Sequence, residues 1–82
     1  METSSNQRVA GDFVAVEVGR RWRVRGGWQV QITRRDNGHM VQRLPCATYE
    51  TAELLARRVE KDLAVSLDEF CHTYLIRRAA LR

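Results

Sequence analysis

Between Arg21 and Arg43, eight side chains with hydrogen-bond donors of the kinds that recognise nucleic acid fall on one strand face or at its turn: Arg21, Arg23, Arg25, Gln29, Gln31, Thr33, Arg35 and Arg43. Arginine forks onto phosphate oxygens or onto the O6 and N7 edge of guanine, and glutamine matches the N6 and N7 edge of adenine. Their spacing matters as much as their type. Arg21, Arg23 and Arg25 alternate with Trp22 and Val24, while Gln29, Gln31 and Thr33 alternate with Trp28, Val30 and Ile32. A period of two places one set on each face of a strand, so one face makes a core and the other an anion-contacting surface. His39 and Val41 share the donor-rich face.

Other chemistries lack their constellations. His39 and His72 have no nucleophile or carboxylate cluster beside them in sequence, and Glu50, Glu53, Glu60, Asp62, Asp68 and Glu69 are accounted for by helix caps and helix faces. The expectation is a protein that is not an enzyme and holds no cofactor. His39, Cys46, Cys71 and His72 are zinc-ligand types, but no C-x2-C or H-x3-H spacing joins them. Two distant cysteines and no signal peptide fit buried free thiols in a reducing cytoplasm.

The balance of charge agrees with an acidic partner. The 82 residues carry a formal charge of +4 and a sequence pI near 9.8, and of 14 basic residues only Lys61 is a lysine. A high-GC genome explains an arginine bias equally well, so the positions are more informative than the number. The length allows one domain with a thin core. No apolar run is long enough to cross a membrane. Met1 to Ala10 reads as a flexible tail, leaving residues 11–82 as a single α+β domain.

The elements that would position these residues are two hairpins, Arg21 to Thr33 and Trp28 to Leu44, sharing the strand that opens at Trp28. A loop of Arg25 to Gly27 sets Val24 opposite Trp28 and Trp22 opposite Val30, which keeps the faces separate. Asp36-Asn37-Gly38 suits a three-residue turn with a left-handed glycine, pairing Arg35 with His39, Ile32 with Gln42 and Val30 with Leu44. The core face then holds Trp22, Val24, Trp28, Val30, Ile32, Met40 and Leu44. Upstream, Val14, Val16 and Val18 mark an extra strand, or the start of the first sheet strand before a bend at Gly19. Pro45 closes the third strand or sits on its exposed edge.

Two helices follow. Thr48 or Thr51 caps the first, whose Ala52, Leu55, Ala56, Val59 and Leu63 form one stripe for the sheet. Ser66-Leu67-Asp68-Glu69 is a capping box for the second, with Val65 stapling to Phe70 and with Leu67, Phe70, Cys71, Tyr74 and Leu75 facing inward. The fold class expected is a three-stranded antiparallel sheet packed against one helix, with a second C-terminal helix. The sheet should span about 13–45 and the helices about 49–64 and 66–80.

Gly26-x-Trp28, Ile32 and Thr48-Tyr49-Glu50-Thr51-Ala52-Glu53 leading an alanine-containing helix resemble the plant ethylene-response-factor (Apetala-type) DNA-binding domain. The arm-binding domains of phage and transposon tyrosine integrases share that layout. The resemblance spans about residues 20 to 64 and implies a sheet whose open face enters the major groove. Aligned from Trp28, it implies contacts from Arg21 and Arg23, from Gln31 and Thr33, and from Arg43. The chain departs from the family where Arg25 replaces a base-contacting tryptophan, Gln31 an acid, Thr33 an arginine and Pro45 a tryptophan.

The leading expectation is therefore a small, phage- or mobile-element-associated DNA-binding protein that lays its Arg/Gln sheet face on double-stranded DNA. In it, Arg23 and Gln31 discriminate sequence and Arg35 contacts phosphate. An accessory protein that inhibits a host protein, and a binder of structured RNA, are the alternatives. Phe70, Tyr74 and Leu75 either form a homodimer surface or complete the core.

Overall fold

The computed structural model describes residues 8–21 and 25–81. Trp22, Arg23 and Val24 lie outside the described residues, as do residues 1–7 and 82. Strands β1 (Val14–Arg20), β2 (Trp28–Arg34) and β3 (Met40–Cys46) form a three-stranded antiparallel sheet in the order β1-β2-β3. Helices α1 (Tyr49–Lys61) and α2 (Leu67–Tyr74) follow, joined by a 3-10 turn at Asp62–Ala64.

The first strand differs from the sequence expectation. Trp28 pairs with Arg20, Val30 with Val18 and Ile32 with Val16, so the valine run upstream of Gly19 supplies β1. The pairings of Val24 with Trp28 and of Trp22 with Val30 are thereby replaced. The physical reason is burial. Val14, Val16 and Val18 offer three β-branched side chains to the face that α1 covers, more apolar surface than Trp22 and Val24 flanked by three arginines.

The second hairpin keeps the expected partners Val30 with Leu44 and Ile32 with Gln42, but closes differently at its tip. The Arg34 N–H donates to the His39 carbonyl and the Gly38 N–H to the Arg34 carbonyl, so the loop has four residues and Arg34, not Arg35, meets His39. Gly38 has φ +75°, as the left-handed turn position requires. A bulge between Ile32 and Thr33 then absorbs the one-residue offset, and Thr33 pairs with Met40. That shift moves Met40 from the expected core face to the open face, where it is 36% exposed, and turns Val41 toward the core.

Helix α1 begins where the sequence indicates. Thr48 Oγ1 accepts from the Thr51 N–H at 3.1 Å, and Ala52, Ala56 and Val59 are buried against the sheet. A cap of this kind contributes about 1 kcal/mol. Trp28 meets the Tyr49 ring edge-on at 4.9 Å, tying the start of α1 to the start of β2. Helix α2 also starts as expected, with Ser66 Oγ accepting from the Glu69 N–H, but it ends at Tyr74 rather than near Ala80. Leu75 adopts a left-handed conformation (φ 59°) and the Ile76 N–H donates to the Cys71 carbonyl. The chain turns away there, so Leu75 is 83% exposed and Ile76 takes the buried place expected for it.

The segment before β1 is also fixed. Val9 bridges Ser66, Ala10 is fully buried with its N–H on the Val65 carbonyl, and Asp12 accepts from the Val9 N–H. Arg8 to Ala10 therefore belong to the domain and not to a tail. The core gathers Val14, Val30, Ile32, Val59, Phe70 and Cys71 between sheet and helices. No helix among the described residues is long and apolar enough to cross a membrane.

Candidate nucleic-acid interface

The hydrogen-bond pattern decides which residues line the open face of the sheet. Rows across it read Gly19, Gln29, Pro45, then Glu17, Gln31, Arg43, then Ala15, Thr33, Met40. A cleft of about 500 Å³ opens over the first two rows, lined by Arg20, Arg21, Gln29, Gln31, Met40, Arg43 and Pro45. Four of the expected contact residues, Arg21, Gln29, Gln31 and Arg43, thus converge on one place.

Each is held differently. Gln29 lies on the cleft floor at 8% exposure, and its carboxamide makes no hydrogen bond to a described residue. A buried, unpaired amide costs about 1–3 kcal/mol, which a ligand's own polar edge would recover. Gln31 lies over Gly19, whose missing side chain makes the room. The Arg43 Nε lies 2.9 Å from Met40 Sδ, so the guanidinium is steered along β3 by a soft, exchangeable contact. Arg21 is half-buried at the mouth of the β1–β2 connection, its N–H on the Gly27 carbonyl.

The remaining expected contacts are dispersed. Arg25 is exposed beside a neighbouring recess that Arg21 and Pro45 also line. Thr33 shares the open face one row beyond the cleft. Arg35 lies just past the opposite end of β2, roughly 26 Å along the strand from Arg21, with its Nε on the Gly11 carbonyl at 2.6 Å and its N–H on the Phe13 carbonyl. It clamps the segment before β1. Arg23 lies outside the described residues.

Comparison with protein-family models, curated proteins and solved structures finds no match to this chain.

The cleft includes residues the sequence reading passed over. Arg20, whose guanidinium carbon stands 5.3 Å from the Trp28 ring centroid, follows from β1 being the valine strand. Met40 reaches the cleft only because of the bulge. Glu17, in the same row as Gln31 and Arg43, adds one carboxylate on the β1 side. Away from the cleft, Asp36 is held below the usual carboxylate range by its hydrogen bonds from Arg34. Burial raises the Cys71 thiol, and both cysteines are free and buried. No three potential metal ligands converge among the described residues.

Proposed function

We propose that the chain is a small DNA-binding protein that docks the open face of its sheet in the major groove. The observation that supports this most directly is the convergence of Arg21, Gln29, Gln31 and Arg43 on one cleft. The dimensions suit it. Three strands span roughly 10 Å between their outer axes, within a major groove about 12 Å wide. Arg43 and Arg21 supply phosphate or guanine contacts, Gln31 reads adenine, and Met40 and Pro45 offer apolar contact to a thymine methyl. Gln29 sits too deep to lead and completes the floor once a polar edge enters.

The test is a fluorescence-anisotropy titration against duplex DNA at two salt concentrations, with Arg21→Ala/Arg43→Ala alongside. Affinity that falls steeply with salt and is lost in the double variant supports the reading, because each neutralised phosphate releases a counterion. Unchanged binding by the double variant, or none by the wild type at low salt, rejects it.

A further inference from the structure

The two edges of the sheet are treated in opposite ways. Arg21 bonds Gly27 and Arg35 bonds Phe13 in the continued β1–β2 register, so odd-numbered residues of β1 point their backbone groups at β2 and even-numbered ones point outward. By the same alternation β2 bonds β3 through Trp28, Val30 and Ile32, which leaves Arg43 and Pro45 facing outward on β3. That edge is closed. Pro45 has no N–H to offer, the Arg43 N–H is taken by Gln42 Oε1 at 3.0 Å, and Gln42 Nε2 is tied to the Tyr74 carbonyl at 2.9 Å. The bulge beside Gln42 distorts what remains. Such devices are how sheets prevent unwanted strand addition.

Edge β1 has none of them. Val14 is fully buried, but Val16, Val18 and Arg20 direct their N–H and C=O groups outward, and these groups bond no described residue. Neither proline nor bulge interrupts the strand. Beside it, between β1 and α1, runs a recess of about 220 Å³ with Val16, Val18 and Ala56 for its apolar wall. Its rim carries Glu17, Glu53 and Glu60 against the single cation Arg57. An acidic rim on a chain of net charge +4 calls for a basic strand.

We propose that β1 is a self-association edge at which a second copy adds its own β1 antiparallel, joining two sheets into one of six strands. The charge pattern favours this occupant because the strand carries its own complement. Arg20 and Arg21 stand at one end of β1 and the carboxylates lie alongside its middle, so a two-fold axis near Val18 reverses one against the other. The second copy's Arg20 then lies opposite Val16, on the α1 side near Glu53 and Glu60. Glu17 faces the second copy's Gly19, with the second copy's Arg21 within diagonal reach. The interface is isologous and small, so the chain at low concentration is the three-stranded monomer.

Sedimentation equilibrium tests this over about 1 µM to about 1 mM, the span in which small interfaces associate. The wild type should rise from 9.5 kDa toward twice that mass. Val18→Pro deletes an outward N–H that the sheet itself does not use, and should weaken the dimer at least tenfold while the chain still melts cooperatively. Glu17→Arg, an exposed change that sets like charge beside Arg21, should do the same, and keeps the test decisive if the proline unfolds the chain. Adding Arg21→Glu to Glu17→Arg should restore association. A wild type that stays at 9.5 kDa throughout overturns the proposal, and so does a dimer that Glu17→Arg leaves intact.

Discussion

Gln31 lies across Gly19: a methyl group built on Gly19 would stand 2.2 Å from Gln31 Nε2 and 2.8 Å from its Cδ. The obstructing atoms are the end of a flexible side chain, so Gly19→Ala is absorbed by rotation of Gln31 and not by the backbone. Stability should change by less than about 0.5 kcal/mol, as for a surface substitution. Discrimination between adenine-containing and adenine-free duplexes should fall, because the carboxamide no longer rests over the cleft. A binding panel with thermal melts as control checks both. Preserved discrimination would remove Gln31 from the reading role.

Arg35 and Arg43 should separate under the same assay. Arg43 lies in the cleft, whereas Arg35 spends its guanidinium on the Gly11 carbonyl at the far end of the sheet. Arg43→Ala should cost about 1–3 kcal/mol of DNA affinity. Arg35→Ala should cost about 1 kcal/mol of stability through the lost charged hydrogen bond, with a smaller effect on binding. Equal losses of affinity would return Arg35 to the interface.

The reach of the sequence is clearest at β2. Trp28, Val30 and Ile32 alternate without a rival, and Asp36-Asn37-Gly38 anchors the turn, so β2 and its pairing with β3 are legible from pattern alone. The first strand was not, because Arg21 to Arg25 and Val14 to Val18 alternate equally well and Gly26-Gly27 imitates a hairpin loop. Which run enters the sheet is decided by apolar area against α1, a tertiary quantity. The bulge that exchanges Met40 for Val41 leaves no mark in composition. Of the site, Arg21, Gln29, Gln31 and Arg43 were legible as alternating donors. Arg20 was hidden by the strand assignment, and Arg35 is drawn away from the cleft by a contact with Gly11 that no local pattern encodes.

Helix α2 ends on a leucine where a glycine is the easy choice. Leu75 holds φ 59° and ψ 41° with 83% of its surface exposed, so it bears the cost of a left-handed side chain with little burial in return. That cost is about 1–2 kcal/mol, partly offset by the greater freedom glycine gives the unfolded chain. Leu75→Gly should therefore stabilise the fold by about 0.5–1 kcal/mol, raising the melting temperature by a few degrees. Calorimetry checks the sign. A lower melting temperature would mean that Leu75 makes contacts in solution that offset its strain.

Tyr74 gives the fold a dependence on alkaline pH. Its hydroxyl donates to Asp62 Oδ2 at 2.5 Å while its carbonyl accepts from Gln42, joining α2 to the 3-10 turn and to β3. Burial first, and then the hydrogen bond to the Asp62 carboxylate, push the phenol up to about 12 from an ordinary 10.0. The folded state thus holds the proton more tightly than the unfolded chain. The contribution is fully present below about pH 10 and is lost as pH rises toward about 12. The wild type should melt above Tyr74→Phe at neutral pH, and the gap should close across that window. Comparing the two variants cancels the titration of groups they share, and phenolate absorbance of the wild type locates the transition. No gap at neutral pH would show that Tyr74 stabilises the fold by packing on Phe70, at 4.8 Å between ring centroids, and not through its hydroxyl.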